Sequence, residues 1–485
     1  MGNHYLSIRI RLVVFFKKVN DQKMKRFLLF FFGLFFSLGF FTQCSDDPTG
    51  AGSEYLKVNS WIRDQMSNYY YWNFVVPRMA PGNLTPGQFF KDILYETDEF
   101  SYITDDAETL LNELNGTQYS SGVSPAILSF SDRDQLFMVV KYVYPNSPAQ
   151  QAGLKRGDII LSVNGQTLSS SNYQELLQIN GTVAYGLGSY FLDEGTQQVN
   201  VTDLDSVVSV QKEILQLDPV ITTKVIEKGG KRIGYLFYAQ FIDGTADVFI
   251  NRLNERLAAL KAQEVDELVI DLRYNSGGRI TAASQFANAL VPLEAAQNEE
   301  IFVEFEYNSF LENFYQTSEG TDSENLFLRF QEGPVSMGLE RIYVLTTNET
   351  ASASELLING LKPYMEVITV GSNTFGKYYG SFVITGTFQS PPLYYAILPV
   401  TLKYSNANQE TDFIDGLEAQ IAAFENILSP KPLGDPGDPL LEAAISDMLG
   451  QSVAEKNYII TIAPTFNWYP TLSNQLQSSA WFIQD

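Results

Sequence analysis

The sequence predicts a multidomain α+β protein with three folded units, and changes in residue pattern along the chain indicate it. Apolar residues recur at helical intervals in residues 54–117, and short apolar runs separated by turn signals fill residues 118–212. Strand-like runs then alternate with helix-like ones through residues 213–450. We therefore expect a small N-terminal helical domain, a β-rich domain and an α/β core, followed by an extension over residues 451–485.

The charge balance and the scarcity of histidine and cysteine exclude several kinds of site. The formal net charge is −24 at pH 7, and such a surface repels phosphate backbones, so nucleic acid is not an expected partner. The only histidine is His4 and the only cysteine is Cys44. A Ser–His–Asp triad and metal sites built on histidine or cysteine are therefore excluded from the folded part. We predict no metal and no cofactor.

The first 44 residues have the pattern of an export signal. Two basic residues precede an apolar run over residues 27–41, which is short for a membrane span and suits a signal-peptide core. Cys44 follows, and the arrangement resembles the lipid-modified cysteine of bacterial lipoproteins, with residues 45–53 as a flexible tether. The resemblance implies lipidation at Cys44 and an outer-membrane anchor in a Gram-negative cell envelope, on the periplasmic or the outer face. Met24 offers an alternative start, and a plain signal without lipid stays open.

The N-terminal domain, residues 54–117, is predicted from helical spacing and a cap. Apolar side chains recur at roughly helical intervals, at Leu56, Trp61, Met66 and Tyr70. A second helix is expected after Thr85, which suits an N-cap, with Pro86 at the first helical position.

The β-rich domain, residues 118–212, contains the stretch "VYPNSPAQQAGLKRGDIILSVNGQTL" over residues 143–168. Ser147-Pro148 suits the start of a short helix, and Asn164-Gly165 suits a tight turn after a strand. This stretch resembles a PDZ domain. The resemblance implies capture of polypeptide C-termini by strand addition, with a carboxylate-binding loop expected near residues 120–125.

The third unit, residues 213–450, reads as strands and helices in alternation. Strands are predicted over residues 233–241, 341–349 and 366–372, and an almost wholly apolar strand runs into a glycine turn over residues 267–280. An amphipathic helix over residues 245–263 places four apolar side chains on one face, at Phe249, Leu253, Leu257 and Leu260. The pattern predicts a sheet covered by helices on both faces.

Three loops that follow these strands carry the candidate chemistry: "RYNSGGR" (273–279), "NETASASE" (348–355) and "NTFGKYYGS" (373–381). In α/β sheets, sites form beyond the strand ends, so the loops are expected to converge. The serines of the second loop stand at a predicted helix start, where free N–H groups favour an oxyanion. Lys377 of the third loop replaces histidine as the candidate base, because an apolar setting disfavours its ammonium form.

The three loops resemble the catalytic domain of the C-terminal processing (tail-specific) serine proteases, in which a PDZ domain precedes the catalytic core. The motif "DLRYNSGG" occupies residues 271–278, and Lys377 stands 25 positions after Ser352, a spacing that selects Ser352 over Ser354. The resemblance implies a core related to ClpP and the crotonases. It also implies Ser352 as nucleophile and Lys377 as base.

The resemblance implies roles for the neighbours of this dyad. The amide of Ala353, with one from Gly277 or Gly278, would form the oxyanion hole. Arg273 and Asn275 are expected to hold the loop, and Glu355 to orient the loop or cap the helix. The family often has glutamine four positions after the lysine, where this protein has Ser381, so Ser381, together with Glu355, is the expected support for the dyad.

The leading interpretation is an envelope-anchored serine endopeptidase acting on unfolded polypeptides or polypeptides with exposed C-termini. An activating partner or self-association stays open. The first alternative is a catalytically silent lipoprotein that uses the same fold to bind peptides or a partner. The second alternative is a crotonase-like acyl-CoA enzyme. Such an enzyme needs a binding site for a nucleotide phosphate, and this sequence shows no basic cluster or phosphate-binding loop.

Overall fold

The structure, a computed structural model, describes most of the sequence between residues 50 and 451. The described residues are 50–130, 133–193, 198–388, 393–451, 466–468 and 482–483. Cys44 and the predicted signal lie outside them. Within these ranges the multidomain α+β class is confirmed. None of the helices described here is long and apolar enough to cross a membrane.

The N-terminal unit contains three α-helices and one strand, besides a one-turn 3-10 helix at Asn73–Val75. These are α1 (Gly50–Tyr69), α2 (Pro86–Asp92), β1 (Tyr102–Thr104) and α3 (Ala107–Leu114). Thr85 caps α2 as expected, because its side chain accepts a hydrogen bond from the backbone N–H of Gln88. Helix α1 begins inside the stretch 45–53, so the tether prediction is wrong from residue 50 onward. A helix that is already nucleated adds further residues at little cost.

Strand β1 joins the N-terminal unit to the last third of the sequence. It pairs with β20 (Leu393–Leu398), which also pairs with β19 (Ile384–Phe388). The purely helical prediction missed this strand, which is only three residues long and half-buried. An apolar cluster behind the sheet combines Phe100 with Val400 and so fixes the unit against the core.

The β-rich unit contains one large sheet, a separate two-stranded sheet of β2 and β9, and two short helices. Its elements are β2 (Thr117–Ser120), β3 (Val123–Phe130), β4 (Leu136–Val143), α4 (Pro148–Gln151), β5 (Ile159–Val163), β6 (Gln166–Thr167), α5 (Tyr173–Gln178), β7 (Thr182–Asp193), β8 (Gln198–Gln211) and β9 (Glu213–Gln216). Ser147 caps α4 and Asn164-Gly165 turns between β5 and β6, as predicted. Strand β23 (Phe466–Trp468) adds antiparallel to the outer edge of β3.

The α/β core is built on a six-stranded sheet. In spatial order its strands are β10 (Val220–Lys228), β11 (Lys231–Tyr238), β12 (Glu267–Asp271), β16 (Arg341–Thr346), β17 (Glu366–Gly371) and β22 (Ile421–Ala422). All neighbours from β11 onward are parallel, so their carboxyl ends meet at one edge. The loops that carry the candidate chemistry leave from this edge.

Helices and a second sheet cover the six strands. The helices are α6 (Val248–Ala262), α7 (Ile280–Leu290), α8 (Leu293–Gln297), α9 (Ser309–Ser318), α10 (Ala353–Leu361) and α11 (Pro439–Met448). The second sheet contains β13 (Gly278–Arg279), β24 (Phe482–Ile483), β18 (Tyr379–Ser381), β21 (Val400–Asn406), β14 (Ile301–Tyr307) and β15 (Phe327–Arg329). The four apolar residues predicted on one face of α6 are all buried. Each such side chain contributes about 1.5–3 kcal/mol.

Candidate active site

Ser352 stands at the turn between strand β16 and helix α10, where it is fully buried and caps the helix. Its backbone has φ 57° and ψ −114°, a conformation that non-glycine residues seldom adopt. Two hydrogen bonds fix the turn to the segment around the first loop. The Thr350 hydroxyl donates to the carbonyl of Leu272 at 2.8 Å, and the Ala351 amide donates to Asn275 O at 3.1 Å. Such a strained, over-determined turn is typical of functional sites.

Glu355 connects the serine loop to the lysine loop. Its carboxylate is buried in the first turn of α10, and Oε2 accepts from the Ser352 amide at 2.7 Å and from the Lys377 amide at 2.9 Å. Its Oε1 accepts from the Thr374 hydroxyl and the Gly376 amide, each at 2.6 Å. Burial raises the pKa of Glu355 to about 7, although these four hydrogen bonds favour the carboxylate. Glu355 therefore both caps the helix and orients the loop.

Lys377 is buried, with 1% of its surface exposed. Burial lowers the pKa of its amine to about 7, against the opposing charges of Asp98 and Glu355. At neutral pH a large fraction of the amine is therefore uncharged and can accept a proton.

Two residues around Lys377 come from the N-terminal unit, and the sequence interpretation missed both. The ring of Phe100 lies over the amine, with 4.8 Å between Lys377 Nζ and the ring centroid. Two carboxylates raise the pKa of Lys377 by favouring its ammonium form, and Asp98 has a larger effect than Glu355. No spacing rule links residues 98–100 to a loop nearly three hundred positions later, so only the fold could bring them together.

The glycines of the first loop lie against the serine. Gly277 has φ +107°, and a Cβ placed on it would stand 2.7 Å from Ser352 Cβ and 2.9 Å from the Ala353 nitrogen. The Gly277 amide donates to Asn275 Oδ1 at 2.9 Å. A Cβ on Gly278 would stand 2.0 Å from the carbonyl oxygen of Phe241, so neither position accepts a side chain.

Arg273 and Asn275 hold the first loop, in agreement with their expected role. Arg273 is fully buried and pairs with Asp271 and Asp438, each at 2.8 Å. The Asn275 side chain donates to the carbonyl of Tyr238 at 2.9 Å. These contacts fix the backbone beneath the serine turn.

The β-rich unit touches the serine loop directly. Lys141 of β4 pairs with Glu349, three residues before the serine, at 2.6 Å. Arg156 pairs with Glu425 and donates to the Tyr274 hydroxyl at 3.2 Å. A movement of this unit would therefore reach the loops of the candidate site.

The last described strand, β24, lies between the glycine loop and the lysine loop of the candidate site. β24 pairs parallel with Gly278 and Arg279 on one side and with Ser381 on the other. Ser381, the expected support for the dyad, is buried at the end of β18. Across the described ranges, no group of three or more His, Cys, Asp or Glu side chains is arranged to hold a metal.

Family models match three parts of this protein. Residues 232–390 match the peptidase family S41 model, residues 139–183 match a PDZ domain, and residues 57–102 match the peptidase S41 N-terminal domain. These matches fall within the core, the β-rich unit and the N-terminal unit respectively. The boundaries drawn above between the units stay predictions.

Relatives and a solved structure agree with these matches. A carboxyl-terminal-processing protease of Picosynechococcus is 27% identical over 55% of this chain and 55% of its own length. The carboxy-terminal processing protease CtpB of Bacillus subtilis is 24% identical over 50% of this chain and 44% of its own. The chain thus spans about half the length of these curated relatives. The crystal structure of a Bacteroides fragilis protein assigned to the S41 proteases aligns with TM-score 0.64 and 26% identity, covering 80% of this chain and 97% of its own. The core of this chain, over residues 232–390, therefore belongs to peptidase family S41, and a PDZ domain precedes it.

Proposed function

We propose that this protein is a serine endopeptidase that uses Ser352 as nucleophile and Lys377 as general base. The observation that carries the proposal is the Glu355 carboxylate, because a single oxygen atom accepts from the backbone of both residues. The two loops are thereby locked together around a buried amine whose pKa is lowered to about 7 by its burial.

In the proposed reaction, the neutral Lys377 amine takes the proton of the Ser352 hydroxyl as Oγ attacks the scissile carbonyl carbon. The resulting ammonium then gives its proton to the leaving amine, and water hydrolyses the acyl-enzyme in a second cycle of the same steps. The oxyanion is assigned to the amide of Ala353 at the helix start with one amide of the glycine pair. Because the Gly277 amide donates to Asn275, Gly278 is the preferred partner.

The proposed substrates are polypeptides that are unfolded or expose a C-terminus. A PDZ domain binds an extended peptide by adding it to a sheet edge, and the corresponding edge in this protein is the outer edge of β3, which strand β23 covers. The contact between Lys141 and Glu349 supplies a route by which occupation of that edge is felt at the serine loop. An activating partner or self-association acting by this route belongs to the same proposal.

We also propose an envelope location through a lipid on Cys44. The support is the basic start, apolar run and single cysteine of the N-terminus. Metabolic labelling with a radioactive fatty acid tests this proposal, since a Cys44→Ala variant is expected to lose the label. Labelling of that variant at the wild-type level would contradict it.

Cleavage of a reduced and alkylated protein by the purified enzyme tests the catalytic proposal. Ser352→Ala and Lys377→Met are each expected to lower the cleavage rate by at least about 10³-fold. Ser354→Ala is the matched control, because this hydroxyl stands two residues away and donates to Asn275 O at 2.9 Å. Loss of that one hydrogen bond should lower the rate by no more than roughly tenfold.

Two results would overturn the catalytic proposal. If Ser352→Ala cleaves as fast as the wild type, the nucleophile is another residue. If the wild type does not cleave across a range of pH but binds unfolded polypeptides, the catalytically silent binding protein becomes the favoured function.

A further inference from the structure

The lysine of the proposed dyad is covered by a segment that the catalytic core does not supply. Phe100 is 6% exposed, and its ring lies 4.8 Å from Lys377 Nζ. The same ring packs against Phe375 and Tyr379, with 6.3 and 6.2 Å between ring centroids. The amine therefore lies under a ring that reaches it from the N-terminal unit.

Asp98 is rigidly held beside this ring. Its Oδ1 accepts from the amides of Phe100 and Ser101 at 2.9 Å, and its Oδ2 accepts from the hydroxyls of Tyr70 and Ser101 at 2.7 and 2.6 Å. The four donors fix both oxygens of the carboxylate. A fixed charge of this kind acts on a neighbouring amine without needing to reorganise.

The segment 98–101 is tied to both units. Tyr70, which directly follows helix α1, donates to Asp98 and accepts from the Tyr95 amide at 2.8 Å. The hydroxyl of Ser101 accepts from the Val400 amide of the core at 2.8 Å. The position of Phe100 over the amine is therefore determined by the docking of the N-terminal unit.

The ionisable groups around Lys377 are few. Asp98 from the N-terminal unit and Glu355 from α10 are the two carboxylates that act on it. The neighbouring phenols are Tyr70, Tyr378, Tyr379 and Tyr404. Of these, Tyr70 donates a hydrogen bond to Asp98. Burial and the charge of Glu355 raise the pKa of Tyr404.

We propose that the N-terminal unit completes the active site, with Phe100 sealing the Lys377 amine from water and Asp98 acting as a positioning residue that balances this seal with its charge. The assignment rests on the proposed function for its catalytic meaning. The two residues oppose each other. The cover of Phe100 removes water, which disfavours the ammonium form by more than the cation–π attraction to the ring favours it, and the carboxylate of Asp98 favours that form. Removing them should therefore change the protonation of Lys377 in opposite directions.

The test measures the pKa of Lys377 directly in the full-length protein, by the pH dependence of its acetylation with acetic anhydride, which releases acetate and is followed by mass spectrometry. Phe100→Ala is expected to raise the pKa by roughly one unit, and Asp98→Asn to lower it by a similar amount. Phe100→Leu keeps an apolar cover, so it should leave the pKa near the wild-type value. Glu99→Gln removes an exposed neighbouring charge and should change nothing.

The pH dependence of kcat/KM should follow the same order. Its acidic limb should move up in Phe100→Ala and down in Asp98→Asn, whereas a residue that only supports folding would lower the rate without moving the limb. If neither variant changes the pKa of Lys377, or both move it in one direction, the inference is wrong. If the pKa values move as expected and no variant cleaves, the inference stands and the proposed protease activity fails.

Discussion

Replacing Lys377 with methionine should stabilise the protein, and the gain should shrink as the pH rises. The amine is 1% exposed, and burial lowers its pKa from 10.5 to about 7. Each pKa unit corresponds to about 1.4 kcal/mol, so below pH 7 the lysine costs the folded state about 5 kcal/mol. Methionine is similar in length and carries no charge, so Lys377→Met removes this cost.

The pH dependence follows from which state holds the proton. Between the folded pKa of about 7 and the unfolded value of 10.5, the unfolded protein keeps a proton on Lys377 that the folded protein has released. Raising the pH through this window therefore stabilises the wild type, and the lysine's cost falls from about 4 kcal/mol at pH 7 to about 2 kcal/mol at pH 9. The variant lacks this group, so its advantage over the wild type should fall by about 2 kcal/mol across the same window.

Urea unfolding followed by far-UV circular dichroism at pH 7, 8 and 9 measures this difference. Glu355 is present in both proteins, so its own titration largely cancels in the comparison. Lys91→Met, which replaces an exposed lysine, is the matched control and should show the same stability relative to wild type at every pH. A constant advantage of Lys377→Met from pH 7 to pH 9 would contradict this prediction, because it would mean that the lysine is charged in the folded protein.

Three further predictions concern other parts of the molecule. Gly277→Ala should lower kcat/KM by at least about 100-fold without changing the circular dichroism spectrum, since the new Cβ would stand 2.7 Å from Ser352 Cβ. Arg273→Met should lower the free energy of unfolding by about 3–5 kcal/mol in urea titrations, because Asp438 would keep a buried charge without its partner. Asn467→Pro should raise the affinity of a labelled peptide for the β3 edge, measured by fluorescence anisotropy, because proline weakens the pairing of β23 that covers it.

Matched controls make these three outcomes decisive. Gly320 has φ +100° and open space at its Cβ position, so Gly320→Ala carries the same backbone strain as Gly277→Ala away from the site and should keep its activity. Arg232→Met removes an exposed ion pair and should cost less than about 1 kcal/mol. Asn467→Ala keeps the backbone N–H of β23 in place, and equal peptide affinity in Asn467→Ala and Asn467→Pro would contradict the β23 prediction.

Much of the site could be predicted because its parts are local in sequence. The strand, turn and helix around Ser352 follow from an apolar run, small residues and a helix start. Parallel strands place the loops after them at one edge, so the meeting of the serine and lysine loops is a consequence of fold class. The bond between Ser352 and Glu355 is also local, because the first turn of a helix brings these positions together.

The missed features all depend on contacts between distant parts of the sequence. Phe100 reaches Lys377 only because the N-terminal unit docks on the core, and neither residue carries a pattern that points to the other. Strand β1 is too short to be read from alternation, and its pairing with β20 is long-range. The contact between Lys141 and Glu349 depends on how the PDZ domain sits against the core, which no local rule determines.

The most direct test of the Ser352 and Lys377 mechanism is to identify the residue that carries the acyl group during cleavage. Wild-type protein is mixed with an excess of unfolded substrate, quenched in acid within the first turnover, digested and mapped by mass spectrometry. The proposed mechanism predicts a substrate-derived acyl adduct on the peptide that contains Ser352, absent in Ser352→Ala and suppressed at pH values well below the Lys377 pKa of about 7. An adduct on any other residue, or cleavage that proceeds equally in Ser352→Ala, would contradict it.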